Sequence, residues 1–172
     1  GDTNAIQELL DEGANVDAEG KDGWTALHVA SRSGHTGAIQ KLLDNCANVN
    51  VVNIDGVTAL HVASLNGHTN AIQKLLDAGA NVNAVDNFGR NPLHMASVNG
   101  HTSAAQKLLD KGVNVNVTVL PSGWKRHFDS RSCKYFFENI FTREVQWNRP
   151  TEEANVNVVN IDGVTALHVA SL

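Results

Sequence analysis

The chain has 172 residues, 42% of them hydrophobic, and a formal net charge of −5. This apolar content suffices for a buried core and excludes wholesale disorder, and the negative charge argues against nucleic-acid and anionic-membrane binding. The sequence has no run of about 18 apolar residues, the length that a membrane-spanning helix needs. The composition therefore predicts a folded chain whose partners are neither nucleic acid nor membrane.

One sequence block recurs along the chain with a period of 33 residues. TALHVA stands at 25–30 and 58–63, and NPLHMA stands at 91–96. A second block, AIQKLLD, stands at 38–44 and 71–77, with variants at 5–11 and 104–110 and a further TALHVA at 165–170. A period of this length is typical of a solenoid, in which units bury their apolar faces only by stacking on each other.

Each unit predicts two short helices joined by a Gly-His turn. Thr25 and Thr58 suit the N-cap of the first helix, and Pro92 suits its first turn. We expect the threonine after each Gly-His pair to cap the second helix, namely Thr36, Thr69 and Thr102.

Glycine follows most of the second helices, as at Gly79. Helices commonly end with a residue in the left-handed conformation, which glycine adopts without strain. Cys46 takes that place in one unit and should cost about 1 kcal/mol there. Because Cys46 and Cys133 lie in unlike sequence contexts, we expect two free thiols and not a disulfide.

These units resemble ankyrin repeats, whose pattern is G-x-T-P-L-H-x-A-A-x-x-G-H followed by a second helix and G-A-x-V-N. The resemblance covers 1–117, a half repeat plus three full copies, and 154–172, a final partial repeat identical to 47–65. It implies a mainly α fold, an ankyrin-repeat solenoid. Because the array opens on a second helix and closes after a first helix, we expect a segment of a longer array.

Residues 118–153 interrupt the repeats and differ from them in composition. Seven of the nine aromatic residues lie here. Segments at about 124–128, 134–139 and 144–147 alternate like strands, which predicts an inserted three-stranded antiparallel β-meander.

The core of this insert, 120–150, resembles a WW domain over its whole length. The resemblance rests on Leu120-Pro121, Gly123-Trp124, Phe136-Phe137, Asn139, Thr142, Trp147 and Pro150. It implies that Trp124 and Pro150 close one face of the sheet, and that Phe136 and Trp147 form a groove for a proline-rich segment on the other. Aromatic rings suit proline, and a preformed polyproline II helix loses little entropy on binding.

The ligand subclass of this WW-like module stays open. Ile140 stands where relatives that bind Pro-Pro-x-Tyr have histidine, so that class is disfavoured. The first loop contains Ser130-Arg131, similar to the pair that binds phospho-Ser/Thr-Pro in relatives, although Asp129 beside it would repel phosphate. A further alternative is that Phe136 and Trp147 only support the sheet.

Ankyrin repeats bind partners through loop tips and the exposed ends of first helices. The resemblance carries this role to six residues that we call the partner surface: Trp24, Arg32, Ile54, Leu65, Phe88 and Arg90. Apolar side chains in such places favour a protein-binding surface. The alternative is that some apolar side chains in these places, Val57 and Val98 above all, pack between neighbouring loops.

The sequence contains no spacing typical of a catalytic triad, a metal site or a phosphate-binding loop, so we expect no enzyme, no metal and no cofactor. We expect a monomeric adaptor of the cytoplasm or nucleus that binds proteins, including a proline-rich or Ser/Thr-Pro segment. Two alternatives remain: a structural array with a non-binding WW-like spacer, and the targeting segment of a larger enzyme.

Overall fold

The computed structural model describes residues 2–117, 119–120, 124–129, 134–139 and 145–146. Within these residues the chain forms seven α-helices, one 3₁₀ turn at Lys21–Gly23 and three strands. The helices are α1 (Thr3–Asp11), α2 (Ala26–Arg32), α3 (Thr36–Asp44), α4 (Ala59–Leu65), α5 (Thr69–Asp77), α6 (Pro92–Val98) and α7 (Thr102–Asp110). The strands are β1 (Trp124–Asp129), β2 (Lys134–Asn139) and β3 (Val145–Gln146).

The helices stack in two layers, as the 33-residue period requires. The first helices α2, α4 and α6 pack side by side, and the second helices α1, α3, α5 and α7 form the other layer. The shared core lies between them and contains the recurring leucine and isoleucine positions, among them Leu27, Ile39, Leu60, Ile72 and Leu108. The predicted mainly helical ankyrin solenoid is confirmed.

The first helices begin as the sequence predicts. The Thr58 side chain accepts a hydrogen bond from the backbone N–H of His61, and Asn91 does the same for His94. In return, the backbone N–H of Thr58 donates to Nδ1 of His61 (3.2 Å). The starts of α4 and α6 therefore each have two otherwise unpaired backbone donors satisfied.

The prediction that threonine caps the second helices is wrong. The N-cap positions belong to His35, His68 and His101, and none of them makes a side-chain capping bond. The threonine is instead the first residue of each of these helices. The histidine ring instead reaches the preceding repeat, with Nε2 of His68 3.1 Å from the carbonyl oxygen of Arg32.

The residues that end the second helices have the left-handed backbone conformation that the sequence predicts. Cys46 has φ 64°, and the equivalent Gly79 has φ 86°. Gly67, in the Gly-His turn, has φ 69°, and a Cβ there would lie 2.6 Å from the ring of His101. This position therefore requires glycine for conformation and for space.

Candidate protein-binding site

Hydrogen bonds join the loop tips, which we define as the turns at 21–23, 54–56 and 87–89. The carbonyl oxygen of Asp22 accepts from the N–H of Ile54 (3.1 Å), and that of Asp55 accepts from the N–H of Asn87 (2.8 Å). The same spacing of 32 residues continues once more, because the carbonyl oxygen of Phe88 accepts from the N–H of Leu120 (2.9 Å). Leu120 therefore takes the place that the next repeat's loop tip would occupy.

Three members of the partner surface are exposed on the array. Ile54 is 62% exposed at its loop tip, Leu65 is 39% exposed at the end of α4, and Arg32 is exposed at the end of α2. Val98, at the equivalent end of α6, is 57% exposed. The alternative that Val98 packs between loops is thus wrong, whereas Val57 is half-buried.

The other three members of the partner surface are half-buried. Trp24 packs against the ring of His28, with ring centroids 5.6 Å apart. The guanidinium of Arg90 lies 4.9 Å from the centre of the Phe88 ring and pairs with Oδ2 of Asp86 (2.7 Å). Phe88 and Arg90 are therefore already engaged within the chain.

The buried Asp86 organises the third loop tip. Its Oδ1 accepts hydrogen bonds from the backbone N–H groups of Phe88 and Arg90, both at 2.9 Å. Asn53 uses its Oδ1 in the same way toward Asp55 and Val57. One side-chain oxygen thus holds each of these turns, and Asp86 adds the ion pair with Arg90.

Buried histidines connect each first helix to the following loop. Nε2 of His28 lies 2.9 Å from the carbonyl oxygen of Val57, and Nε2 of His61 lies 3.0 Å from that of Arg90. Burial lowers the pKa of both rings, and these backbone hydrogen bonds partly oppose the shift. Burial also lowers the pKa of His94, to about 4, so all three rings are neutral at pH 7.

The strands of the insert form a sheet in the order β1-β2-β3, both pairs antiparallel. Phe136 pairs with His127 across β1 and β2, and Phe137 pairs with Gln146 across β2 and β3. Of the residues predicted to bind peptide, only Phe136 has a described backbone position. Ser130, Arg131 and Trp147 lie outside the described residues.

The insert contacts the loop tips through its first strand. The backbone N–H of Arg126 donates to the carbonyl oxygen of Asn87 (2.8 Å). Nζ of Lys125 lies 2.6 Å from Oδ1 of Asp55 and 5.8 Å from the centre of the Phe88 ring. Sequence reasoning missed Lys125 and Arg126, because no local pattern shows that the insert's first strand meets loop tips far away in the chain.

Two exposed valines were also missed. Val29 is 55% exposed although its equivalents Val62 and Met95 are buried, because among the described residues no first helix precedes α2. Val52 is 49% exposed and lies just before the loop tip of Ile54. The repeat pattern could not separate Val29 from its equivalents, since the three positions share one motif.

Other kinds of site are not seen in the described part of the chain. No helix there has the length and apolarity to cross a membrane, and no group of three or more histidine, cysteine or acidic residues there could hold a metal ion. Cys46 is a free, exposed thiol, and Cys133 lies outside the described residues.

Comparison with known families agrees with the repeats and the insert. A family model for ankyrin repeats in three copies matches residues 1–53 and 37–119, and a WW-domain model matches residues 120–150. No curated protein matches the chain. The boundaries at 117 and 153 remain a prediction. Because the ankyrin matches span most of the chain, it belongs to the ankyrin-repeat family, and it carries a WW domain directly after the matched repeats.

Proposed function

We propose that the chain is a non-catalytic, monomeric adaptor of the cytoplasm or nucleus that joins two protein-binding surfaces. Ankyrin repeats and WW domains are in general protein-interaction modules. In this proposal the exposed part of the partner surface binds a folded protein, and the WW domain binds a proline-containing segment. Two weak contacts linked in one chain gain affinity through effective concentration.

The WW-domain match over residues 120–150 supports the peptide-binding part of the proposal. In the described strands Phe137 pairs with Gln146 and Glu138 pairs with Val145, so β2 and β3 are antiparallel neighbours. In this proposal the WW domain is a three-stranded meander, and Phe136 and Trp147 bind the proline-containing segment, the role that the WW resemblance gives them.

The exposed aliphatic side chains carry the ankyrin part. Ile54, Leu65 and Val98 lie on loop tips and helix ends of successive repeats, each more than a third exposed. Burying such a side chain at an interface lowers the free energy of the complex by about 25 cal/mol per Å² of apolar surface removed from water. They support a protein partner over a nucleic acid or a small molecule.

Peptide titration of the whole chain tests the proposal. The panel contains Pro-Pro-Leu-Pro, Pro-Pro-x-Tyr and Ser-Pro peptides, the last with and without phosphate, and binding is measured by calorimetry. We expect saturable binding that Trp147→Ala abolishes and Trp24→Phe leaves unchanged. Dependence on phosphate, lost in Arg131→Ala, would assign the phospho-Ser/Thr-Pro subclass.

Absence of binding across the panel, with the chain folded by circular dichroism, would overturn the peptide-binding part. The insert would then be a spacer in a structural array.

A further inference from the structure

Two backbone hydrogen bonds join the third loop tip to the WW domain. The carbonyl oxygen of Phe88 accepts from the N–H of Leu120 (2.9 Å). The carbonyl oxygen of Asn87 accepts from the N–H of Arg126 (2.8 Å). Only residues 121–125 separate the two donors, so the chain has little slack between them. The two bonds therefore fix both the position and the direction of β1 against the tip.

The bond from Arg126 closes the outer edge of β1. The sheet order is β1-β2-β3, so one edge of β1 has no strand beside it among the described residues. Along a strand, the N–H groups of successive residues point to opposite edges, and that of Arg126 points to the outer edge because it reaches Asn87. Proteins commonly cover such an edge, since an open one can pair with another chain. Here the loop tip provides the cover.

Side chains support the same contact. Nζ of Lys125 pairs with Oδ1 of Asp55 on the second loop tip (2.6 Å), and the Lys125 side chain is only 20% exposed. The same Nζ lies 5.8 Å from the centre of the Phe88 ring, within reach of a cation–π interaction. Leu120 is 6% exposed, although its equivalent Ile54 is 62% exposed. A position that is open to solvent at the second tip is thus closed where the WW domain begins.

The buried histidines show that the loop tips carry this junction. Nε2 of His28 and of His61 each lies within hydrogen-bond distance of a carbonyl oxygen of the next repeat. Within the described residues, Nε2 of His94 is buried without a hydrogen-bond partner. The hydrogen bonds between tips nevertheless continue by one step, to Leu120. Beyond the third repeat, the described contacts across the junction therefore lie at the tips.

We propose that the third loop tip is a docking surface for the first strand of the WW domain, and that the array and the WW domain form one rigid body. Phe88 then holds the chain's own strand and not an external partner. The partner surface is left with residues such as Ile54 and Leu65, which are exposed. This inference holds whether or not the WW domain binds a peptide.

Amide hydrogen exchange of the whole chain, followed by NMR, tests the docking. If the WW domain were only tethered, the Arg126 N–H would lie on an open strand edge and exchange like an unprotected amide. In the docked chain we expect exchange slower by about 30- to 100-fold, because two hydrogen bonds and one ion pair must open first. The amides of Trp124 and Phe128 face the same edge, and no described hydrogen bond joins them to a tip, so they should exchange fast.

Variants of the ion pair provide the second measurement. Lys125→Ala and Asp55→Ala leave both backbone hydrogen bonds in place, and each should speed exchange of the Arg126 amide by about two- to fivefold. The double variant should add little to either, because both remove the same interaction. Lys111→Ala is the control, since its pair with Asp77 is longer (3.7 Å) and lies within the array, and it should leave this amide unchanged. Circular dichroism verifies that each variant is folded.

Three results would overturn the proposal. Exchange at Arg126 as fast as at Trp124 and Phe128 would show that the strand is not docked. Equally slow exchange at all three amides would show that something other than the loop tip covers the edge. Protection of Arg126 that neither Lys125→Ala nor Asp55→Ala reduces would show that these side chains do not hold β1 on the tips.

Discussion

Replacing Cys46 by glycine should stabilise the ankyrin array. Cys46 has φ 64°, a left-handed conformation that costs an L-residue about 1 to 2 kcal/mol. Glycine removes this strain, but its greater conformational entropy in the unfolded chain destabilises the folded state by about 0.4 to 1 kcal/mol. Since the thiol is exposed and contributes little packing, we expect a net gain of about 0.5 to 1 kcal/mol.

The reciprocal change isolates the conformational cost. Gly79 occupies the equivalent position with φ 86°, and a Cβ built there has no heavy atom within 4 Å. Gly79→Ala therefore adds a side chain that meets nothing. Its expected net cost of about 0.5 to 1 kcal/mol is the backbone strain less the stabilisation that alanine gives by reducing the entropy of the unfolded chain.

Urea unfolding followed by circular dichroism measures both changes. We expect Cys46→Gly to raise the midpoint and Gly79→Ala to lower it, with the slope of the transition unchanged in both. Cys46→Ala serves as a control, because it removes the thiol and keeps the strain. If Cys46→Ala stabilises as much as Cys46→Gly, or if Gly79→Ala costs nothing, the strain argument is refuted.

Three further predictions follow from the buried residues. In the unfolded state His94 takes up a proton near pH 6.5, but in the folded state only near pH 4. As the pH falls through this window, the ring should therefore lower the free energy of unfolding by about 3 kcal/mol. Urea titrations of the wild type and of His94→Gln across this pH range check the prediction. Leu75→Ala removes a fully buried side chain and should cost about 2 to 5 kcal/mol by thermal unfolding, against less than about 1 kcal/mol for Leu109→Ala at 38% exposure. Asp86→Ala leaves two backbone donors and Arg90 unpaired and should cost about 3 to 5 kcal/mol, whereas Asp86→Asn, which copies Asn53, should cost clearly less in the same assay. Equal effects within either pair of variants, or a pH-independent difference for His94, would contradict these assignments.

The sequence by itself determined the repeat architecture, because its signals are local and occur in every unit. The position of Thr58 before Leu-His-x-Ala predicts a helix start, and the structure has α4 beginning one residue later. The glycine after each second helix, and Cys46 in its place, predict the left-handed residues that the structure shows. Periodic leucines predict which face is buried. For the same reason, the WW domain could be identified from residues 120–150 alone.

The helix-cap prediction failed at Thr69 for a physical reason that spans repeats. The Gly-His turn places His68 at the N-cap, and its ring bonds the backbone of the preceding repeat, not the helix that follows. A single unit's sequence carries no information on where that ring finds an acceptor.

Only the tertiary structure decided how the WW domain and the array meet. Lys125 and Asp55 are 70 residues apart in the chain, and no periodicity links them. Likewise, Val29 and Val62 occupy the same place in their repeats, yet one is exposed and the other buried. Burial and ion pairing depend on which elements become neighbours in space, so equal motifs acquire unequal surroundings once the units have stacked.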